Sequence, residues 1–158
     1  MRRVPGAVAI IATQADGARS GLVATAWTSL CADPPMLLVC VNRSASAHPL
    51  ILRAGAFSLN LLDETETETV AIFSAQRGLD GDARFLPGCW SPSAQGQPLL
   101  RSAVAAFECR LHETHDYGTH TILIGHVEDM RSREDAHPML YLDGRFARAA
   151  MPTESMPN

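Results

Sequence analysis

The sequence predicts a mainly β fold with few helices, closed into a β-barrel. Short apolar or hydroxyl-rich segments recur along the chain, and turn signals containing Gly or Pro separate them. Only two segments have the features of helices. The 158 residues, of which 46% are hydrophobic, suit one domain with a substantial core. Many short strands with few helices are typical of a barrel.

Three strands are predicted in the first third of the chain. Residues 8–13 form the first, and residues 15–17 form a hairpin turn. Residues 23–29 are small and rich in hydroxyl groups, which predicts one continuous second strand. Residues 36–41 are almost wholly apolar, which predicts a strand buried on both faces. Proline lacks an N–H and has a fixed φ angle, so the Asp-Pro-Pro sequence at 33–35 predicts a rigid turn between these strands.

Helices are predicted on either side of a further strand. Residues 48–53 form a short helix, and residues 57–62 form a strand. Asp63 and Glu66 belong to an acidic run of the kind found in first helical turns, and their spacing fits a capping box. We therefore expect a second helix over residues 64–76. The residues expected to face the core are Val70, Ala71 and Phe73.

The second half of the chain returns to strand signals after a long loop. Residues 78–96 have no steady period and contain four glycines and two prolines, which predicts a loop. Residues 103–113 and 119–127 predict two more strands, and residues 139–146 predict a last strand or turn.

Composition limits the classes of function. Residues 1–150 form the predicted domain, and residues 151–158 a disordered tail. The net charge of −4 and the lack of a basic stretch argue against a nucleic-acid partner. No apolar run approaches the ~20 residues that cross a bilayer. The start, MRRVPGAVAIIA, imitates a signal peptide, but Pro5-Gly6 interrupts the apolar run. We expect a cytoplasmic protein without a membrane partner.

Neither a metal site nor a redox-active dithiol is expected. The four cysteines form no C-x-x-C pair, so all four are expected to be reduced. His112 and His115 lie on opposite faces of a predicted strand, and no H-E-x-x-H motif occurs. His120 is different, because it follows Gly118 at the start of a strand, where side chains often surround a pocket. The alternative is a surface histidine at a strand end.

A polar loop at residues 42–46 precedes the first predicted helix. The N–H groups of a first helical turn are unpaired, and the helix dipole favours negative charge there. The loop is therefore a candidate anion site. The alternative is an ordinary turn with Ser46 as N-cap, and local chemistry alone favours the ordinary turn.

Short motifs in a characteristic order add to this interpretation. They are Gly21, Ala24, Thr28 and Ser29; Asp33-Pro34-Pro35; Asn42-Arg43-Ser44; Phe57-Ser58-Leu59-Asn60-Leu61; Arg84-Phe85; Gly96-Gln97-Pro98-Leu99; Glu108-Cys109; Gly118-Thr119-His120 with Gly125; and Pro138-Met139-Leu140-Tyr141. Their order resembles that of the short-chain flavin reductases, the FMN-binding split-barrel reductase components of two-component flavin-dependent monooxygenases. The resemblance extends over nearly the whole chain, from Pro5 to Phe146.

The resemblance implies an NAD(P)H:flavin oxidoreductase that transfers a hydride from reduced nicotinamide to FMN. It implies a Greek-key-like split β-barrel, a homodimer with FMN near the subunit interface, and release of reduced flavin to a partner monooxygenase. It also implies FMN, or FAD, as the cofactor and NADH or NADPH as the co-substrate. The chain lacks a G-x-G-x-x-G motif, so the nicotinamide would not bind as in a Rossmann fold. The alternatives are another split-barrel flavoprotein, similar to pyridoxamine-phosphate oxidase, or a flavin-binding module without turnover.

The resemblance also implies the site residues. His120 is the catalytic candidate, beside flavin and nicotinamide, although Thr119 stands where the family usually has Asp. Small side chains at residues 23–29 would let the backbone approach the flavin ring, and the phosphate would bind at the polar loop. The segment Arg84-Phe85 would close over FMN. The cofactor-binding candidates are Val23, Ala24, Thr25, Ala26, Thr28, Ser29, Asn42, Arg43, Ser44, Ala45, Ser46, His48, Arg84, Phe85 and Tyr141.

Overall fold

A seven-stranded antiparallel sheet forms the centre of the computed structural model, which describes residues 3–149. The predicted mainly β fold with few helices is confirmed. The strands are β1 Gly6–Ala7, β2 Ala9–Ala15, β3 Ala18–Ala24, β4 Trp27–Ala32, β5 Pro35–Asn42, β6 Ala56–Leu61, β7 Trp90–Pro92, β8 Pro98–Leu100, β9 Ala105–Tyr117, β10 His120–Ser132, β11 Met139–Leu142 and β12 Arg145–Arg148. The helices are α1 Ala47–Ala54, α2 Thr67–Phe73 and a 3₁₀ turn at Gly81–Arg84.

The seven-stranded sheet curls on itself as a barrel. Its strand order is β3-β2-β6-β9-β10-β5-β4, so its two edge strands follow each other in the sequence, with only Thr25 and Ala26 between them. The main chain therefore passes directly from one edge of the sheet to the other. The Cys40 N–H donates to the Ala26 carbonyl at 2.9 Å, which fastens this crossing to β5.

The prediction of one continuous strand over residues 23–29 is wrong. β3 ends at Ala24 and β4 begins at Trp27. The two strands have different partners, because β3 pairs with β2 whereas β4 pairs with β5. Small and hydroxyl-bearing residues suit both strands equally, so local sequence carries no sign of the break.

The prediction that β5 is buried on both faces is also wrong. Leu37, Val39 and Val41 are buried, whereas Met36, Leu38 and Cys40 alternate with them and are only half-buried. The first set faces the barrel interior. The second set faces outward, and within the single chain no second layer covers it fully.

The barrel interior is a continuous apolar core. The helix α1, which the sequence predicted, contributes to it and packs mainly against β2. At Gly125 an added Cβ would lie 2.8 Å from Phe57 Cζ, so only glycine lets β10 approach that ring. The buried members are Ala9, Ile11, Ala24, Leu37, Val39, Val41, Ala47, Ile51, Phe57, Leu59, Cys109 and Leu123.

Cys109 is a core residue and not a reactive thiol. It is fully buried on β9. Burial, together with the nearby negative charges of Glu108 and Glu128, raises the pKa of the Cys109 thiol to about 12. The thiolate is the nucleophilic form of cysteine, so this residue is chemically inert at neutral pH.

A second core lies on the outer face of the sheet, beneath α2 and the long connection to β9. Phe73, Phe85 and Trp90 pack in mutual contact there, with ring centroids 5.0 to 5.5 Å apart. The expectation of a plain loop over residues 78–96 is wrong in part, because this segment contains the 3₁₀ turn and β7. These aromatic contacts hold it against the sheet.

The helix α2 is shorter than the predicted 64–76. The Asp63 carboxylate accepts hydrogen bonds from the Thr65 N–H and hydroxyl and from the His137 N–H, at 2.6 to 3.0 Å. These bonds, the Thr65 hydroxyl bond first, hold the pKa of Asp63 below its usual value. They fix residues 63–66 as a turn, and the Glu66 side chain accepts from Thr69 and forms no capping box. The predicted core residues of this segment are buried, as expected.

The C-terminal part of the described chain is a hairpin, β11–β12, and β1 pairs with β11. The predicted strand near residues 139–146 is thus confirmed as two strands. No helix among residues 3–149 is long and apolar enough to cross a membrane. The predicted disordered tail at residues 151–158 lies outside the described residues.

Candidate functional site

The loop between β5 and α1 has a shape that Asn42 determines. The Asn42 side-chain oxygen accepts from the Ser44 N–H and from the Ser44 hydroxyl, both at 2.9 Å. The Asn42 carbonyl accepts from the Ala45 N–H at 3.0 Å, and the Arg43 N–H donates to the Thr119 carbonyl at 2.9 Å. The last bond ties this loop to the turn between β9 and β10.

A cavity of about 600 Å³, here called the loop cavity, opens between these two turns. It combines a guanidinium, a hydroxyl-bearing loop and an imidazole, and none of the residues that line it carries a carboxylate. Such a set of donors suits a phosphate, which guanidinium groups and helix N-termini bind well. The lining residues are Asn42, Arg43, Ser44, His48, Gly118 and Thr119.

Two predicted loop residues lie beside this cavity and not in it. Ala45 packs against the inner core. The Ser46 hydroxyl lies 3.3 Å from the Ser20 hydroxyl on β3, and it makes no N-cap bond to α1. Ser46 is the N-cap residue of α1, as the alternative predicted, but its side chain makes no capping bond. The Ser20–Ser46 contact instead connects α1 to β3.

Thr121 and Asp116 were missed by the sequence analysis. The Thr121 hydroxyl lies 2.8 Å from His48 Nε2 and donates to Asp116 at 2.6 Å. Asp116 also lies 3.8 Å from the Arg43 guanidinium. These contacts depend on the register of β9 against β10, which local sequence patterns do not reveal.

A second cavity, of about 280 Å³, lies where β3 ends. We call it the junction cavity. Val23, Thr25 and Tyr141 line it, so three of the predicted cofactor residues meet there. Ala24 is 7% exposed and points into the barrel, so it can offer a ligand only its backbone. Val8, Val70, Ser74, Gln76 and Phe146 complete the lining.

The remaining small residues of this region lie around and beyond the crossing. Ala26 uses its carbonyl to hold Cys40. Thr28 and Ser29 are exposed on β4, and the Thr28 hydroxyl donates to the Ser29 carbonyl at 3.2 Å. The Trp27 indole donates to the Ala7 carbonyl at 2.8 Å, which fixes the ring at the barrel edge.

Both side chains of the Arg84-Phe85 segment make contacts within the protein. The Arg84 guanidinium donates to the Leu79 carbonyl at 2.8 Å and to the Gly21 carbonyl of β3 at 3.2 Å. Phe85 is 4% exposed and lies in the outer aromatic core, so its ring cannot contact a ligand from the surface without moving. That this segment closes over the cofactor stays a prediction, and it would require the Phe85 ring to leave the outer aromatic core.

His120 lies next to the loop cavity but on the other face of β10. It is exposed, pairs with Asn42 across the strands, and its Nδ1 is 2.9 Å from the Thr119 hydroxyl. Successive strand residues point to opposite faces, so His120 and Thr121 diverge. Within residues 3–149, no group of three or more His, Cys, Asp or Glu side chains could hold a metal ion.

The strand β3 runs from the vicinity of the loop cavity to the junction cavity. Ser20 touches Ser46 near the loop cavity, and Thr25, five residues later, lines the junction cavity. At a rise of about 3.3 Å per strand residue, this edge is about 17 Å long. One end of the arrangement thus has guanidinium, hydroxyl and imidazole groups, and the other has small residues beside the backbone.

Comparisons with known proteins identify the family of this chain. The family described as "Flavin reductase like domain" matches residues 1–150. The "FMN reductase (NADH) RutF" of Agrobacterium fabrum (strain C58) is 36% identical over 146 residues, which are 92% of this chain and 83% of the relative.

Two solved structures are similar over nearly the whole chain. The NADH:FAD oxidoreductase SgcE6 of Streptomyces globisporus C-1027, in complex with NAD and FAD fragments, has a TM-score of 0.87 at 26% identity and covers 96% of this chain and 90% of its own. BorF, the flavin reductase component of a bacterial two-component tryptophan halogenase, has a TM-score of 0.87 at 25% identity, with coverages of 96% and 94%. The fold is therefore the flavin reductase split barrel, and the chain belongs to the family of flavin reductase-like domains.

Proposed function

We propose that this chain is an NADH-dependent FMN reductase. The observation that carries the proposal is the loop cavity, which the Asn42-Arg43-Ser44 motif and His48 line with guanidinium, hydroxyl and imidazole groups in a flavin reductase fold. A similar protein is named as an NADH-dependent FMN reductase, and a similar structure contains NAD and FAD fragments.

The phosphate of FMN would bind in the loop cavity. Arg43 supplies a permanent positive charge, and the Ser44 hydroxyl and the His48 imidazole line the same space. Asn42 fixes the loop conformation by accepting hydrogen bonds from the Ser44 N–H and hydroxyl, so the Ser44 hydroxyl would exchange Asn42 for a phosphate oxygen when the ligand binds. A loop that is ordered before binding lowers the ordering cost of binding.

The flavin ring would lie along the end of β3 and the crossing. Small residues there let the backbone of residues 23–26 approach a flat ligand, and Tyr141 forms one side of the junction cavity. Bound FMN supplies the ring that accepts a hydride from reduced nicotinamide. The chain would contribute position and electrostatics, which explains why no acid–base constellation is evident. His120 would help to place the nicotinamide.

The outward face of β5 supports a homodimer. It is half-buried in the single chain, and an apolar cavity of about 270 Å³ adjoins it, lined by Trp27, Met36 and Phe107 among others. Leu30 and Met130 are about half exposed nearby in the structure. In the dimer this face would be covered, with the flavin sites near the interface.

The physiological setting follows from the same proposal. Reduced flavin would leave for a separate flavin-dependent monooxygenase. One similar structure is a homolog of nitrilotriacetate monooxygenase component B, and another is the reductase of a two-component halogenase. Residues 1–150 would act as one catalytic domain in the cytoplasm.

Oxidation of NADH by the purified protein tests the proposal. With FMN added, NADH absorbance should fall at a rate proportional to protein concentration, and omission of FMN should stop it. No NADH oxidation by a folded protein would contradict the proposal. A protein that is purified yellow and retains its flavin, yet does not oxidise NADH, would instead be a flavin-binding module.

A further inference from the structure

Three residues on three different elements form a hydrogen-bonded chain at the edge of the loop cavity. His48 lies in the first turn of α1, Thr121 on β10 and Asp116 on β9. The Thr121 hydroxyl is 2.8 Å from His48 Nε2 and 2.6 Å from Asp116 Oδ1. Thr121 is 1% exposed, so water does not compete for its hydroxyl.

The single proton of the Thr121 hydroxyl sets the direction of this chain. An ionised carboxylate only accepts hydrogen bonds, so the Thr121 proton goes to Asp116. The hydroxyl oxygen must then accept from His48, which requires a proton on Nε2. Nε2 is therefore committed to the protein, and Nδ1 is the ring nitrogen left for a ligand.

Strand register brings the three residues of this hydrogen-bonded chain together. Thr121 pairs directly with Asp116 across β9 and β10 and with Val41 across β10 and β5. Side chains of directly paired residues lie on the same face, with Cβ atoms about 5 Å apart. Since α1 begins five residues after Asn42 ends β5, its first turn brings His48 over this pair.

We propose that Thr121 and Asp116 are positioning residues that orient the His48 imidazole toward the phosphate of FMN. The inference rests on the proposed function and deepens it. A protonated imidazole donates from both nitrogens, one to Thr121 and the other to a phosphate oxygen. Phosphate specificity thus depends on two residues that do not touch the ligand.

The test compares the dissociation constants of FMN and riboflavin, which differ only in the phosphate. The Thr121→Val variant keeps the side-chain shape and removes the hydroxyl. We expect its preference for FMN over riboflavin to fall about tenfold, the loss of one charge-assisted hydrogen bond, with riboflavin affinity unchanged. Thr121→Ser, which keeps a hydroxyl, should retain most of the preference.

Thr69→Val on α2 is the matched control, because that threonine also donates to a carboxylate but lies outside the loop cavity. Its flavin preference should equal that of the wild type. Asp116 is less suitable for substitution, since its removal also alters the environment of Arg43.

A folded Thr121→Val protein with the wild-type preference would overturn the proposal. If this variant does not fold, ¹H–¹⁵N correlation of the histidine ring nitrogens in the wild-type protein decides: a proton on His48 Nε2, with or without a second proton on Nδ1, supports the hydrogen-bonded chain, and a proton on Nδ1 alone contradicts it. A wild-type protein that binds neither flavin would refute the proposed function, and this inference with it. Failure of the inference alone would leave FMN binding and NADH oxidation intact.

Discussion

The two ends of the candidate site are built in different ways. At the loop cavity, side chains form the structure: Asn42 shapes the loop, and Thr121 holds His48. At the junction cavity, the main chain forms it, as the crossing at Thr25 and Ala26 is secured by a backbone bond to β5. Residues of the same sequence motifs therefore shape the structure through side-chain atoms at one end and through backbone atoms at the other.

Substitutions should therefore have different effects at the two ends. Removing a side chain should matter most at the loop cavity, where the side chain is the functional group. Adding a side chain should matter most along β3, where space beside the backbone is what the fold maintains.

Arg43→Gln should have the largest effect on binding. It removes the permanent positive charge that lines the loop cavity. The loss of charge-assisted hydrogen bonds worth about 1.5–3 kcal/mol corresponds to a weakening of FMN binding by roughly 10- to 150-fold. Riboflavin binding should not change. Arg53→Gln is the control, because that arginine is ion-paired with Asp16 at the other end of α1. Equal losses for both flavins would place the phosphate elsewhere.

Gly21→Ala should destabilise the fold by overpacking. The new Cβ would lie 2.7 Å from Phe73 Cε1 and 2.9 Å from the Ile11 carbonyl oxygen. We expect a loss of about 1–3 kcal/mol in the free energy of unfolding, measured by urea denaturation.

Gly118→Ala, near the loop cavity, should be destabilising through backbone strain and not through overpacking. Its φ is +56°, and no atom lies within 4 Å of an added Cβ. The cost should be conformational, about 1 kcal/mol. Gly118→Asn should recover part of it, since asparagine enters the left-handed region more readily, whereas Gly21→Asn should be worse than Gly21→Ala. The reverse order would show that space along β3 is not limiting.

His120→Ala should raise the KM for NADH more than it weakens FMN binding. The loss of one ordinary hydrogen bond, about 0.5–1.5 kcal/mol, corresponds to roughly a 2- to 12-fold change. His120→Asn should retain more activity because it keeps a polar contact. Steady-state kinetics with FMN saturating measures both variants. Wild-type KM and kcat in each would make His120 a surface residue without a role.

Thr28→Val and Ser29→Ala should have the smallest effects. Both side chains are exposed, and the Thr28 hydroxyl bonds only the neighbouring carbonyl within the described chain. Surface substitutions of this kind usually change free energies by less than about 0.5 kcal/mol, or roughly twofold in affinity. A tenfold loss of FMN affinity in either variant would show that this end also binds through side chains.

The sequence predicted the elements whose signals are local. The apolar run of β5 and the short helix α1 have strong local patterns. The polar loop between them is recognisable from sequence as a candidate anion site, and it lines the loop cavity. The order of the short motifs indicated the flavin reductase family and, with it, the split barrel.

What the sequence could not predict depends on pairing between distant segments. The break at Thr25 and Ala26 exists because β3 and β4 join different partners at opposite edges of the sheet. The late start of α2 follows from the bond between Asp63 and the His137 N–H, 74 residues away. The His48–Thr121–Asp116 chain likewise requires the register of β10 against β9.

The most direct test of the central claim is a comparison of FMN and riboflavin as acceptors of electrons from NADH. If the loop cavity binds the phosphate and the junction holds the ring, both flavins present the same ring to the nicotinamide. Phosphate binding is then uniform between ground state and transition state, so it alters KM and not kcat. We predict equal kcat values and a KM for riboflavin that is roughly 10- to 150-fold higher. Equal KM values for the two flavins, or reduction of neither, would contradict the account.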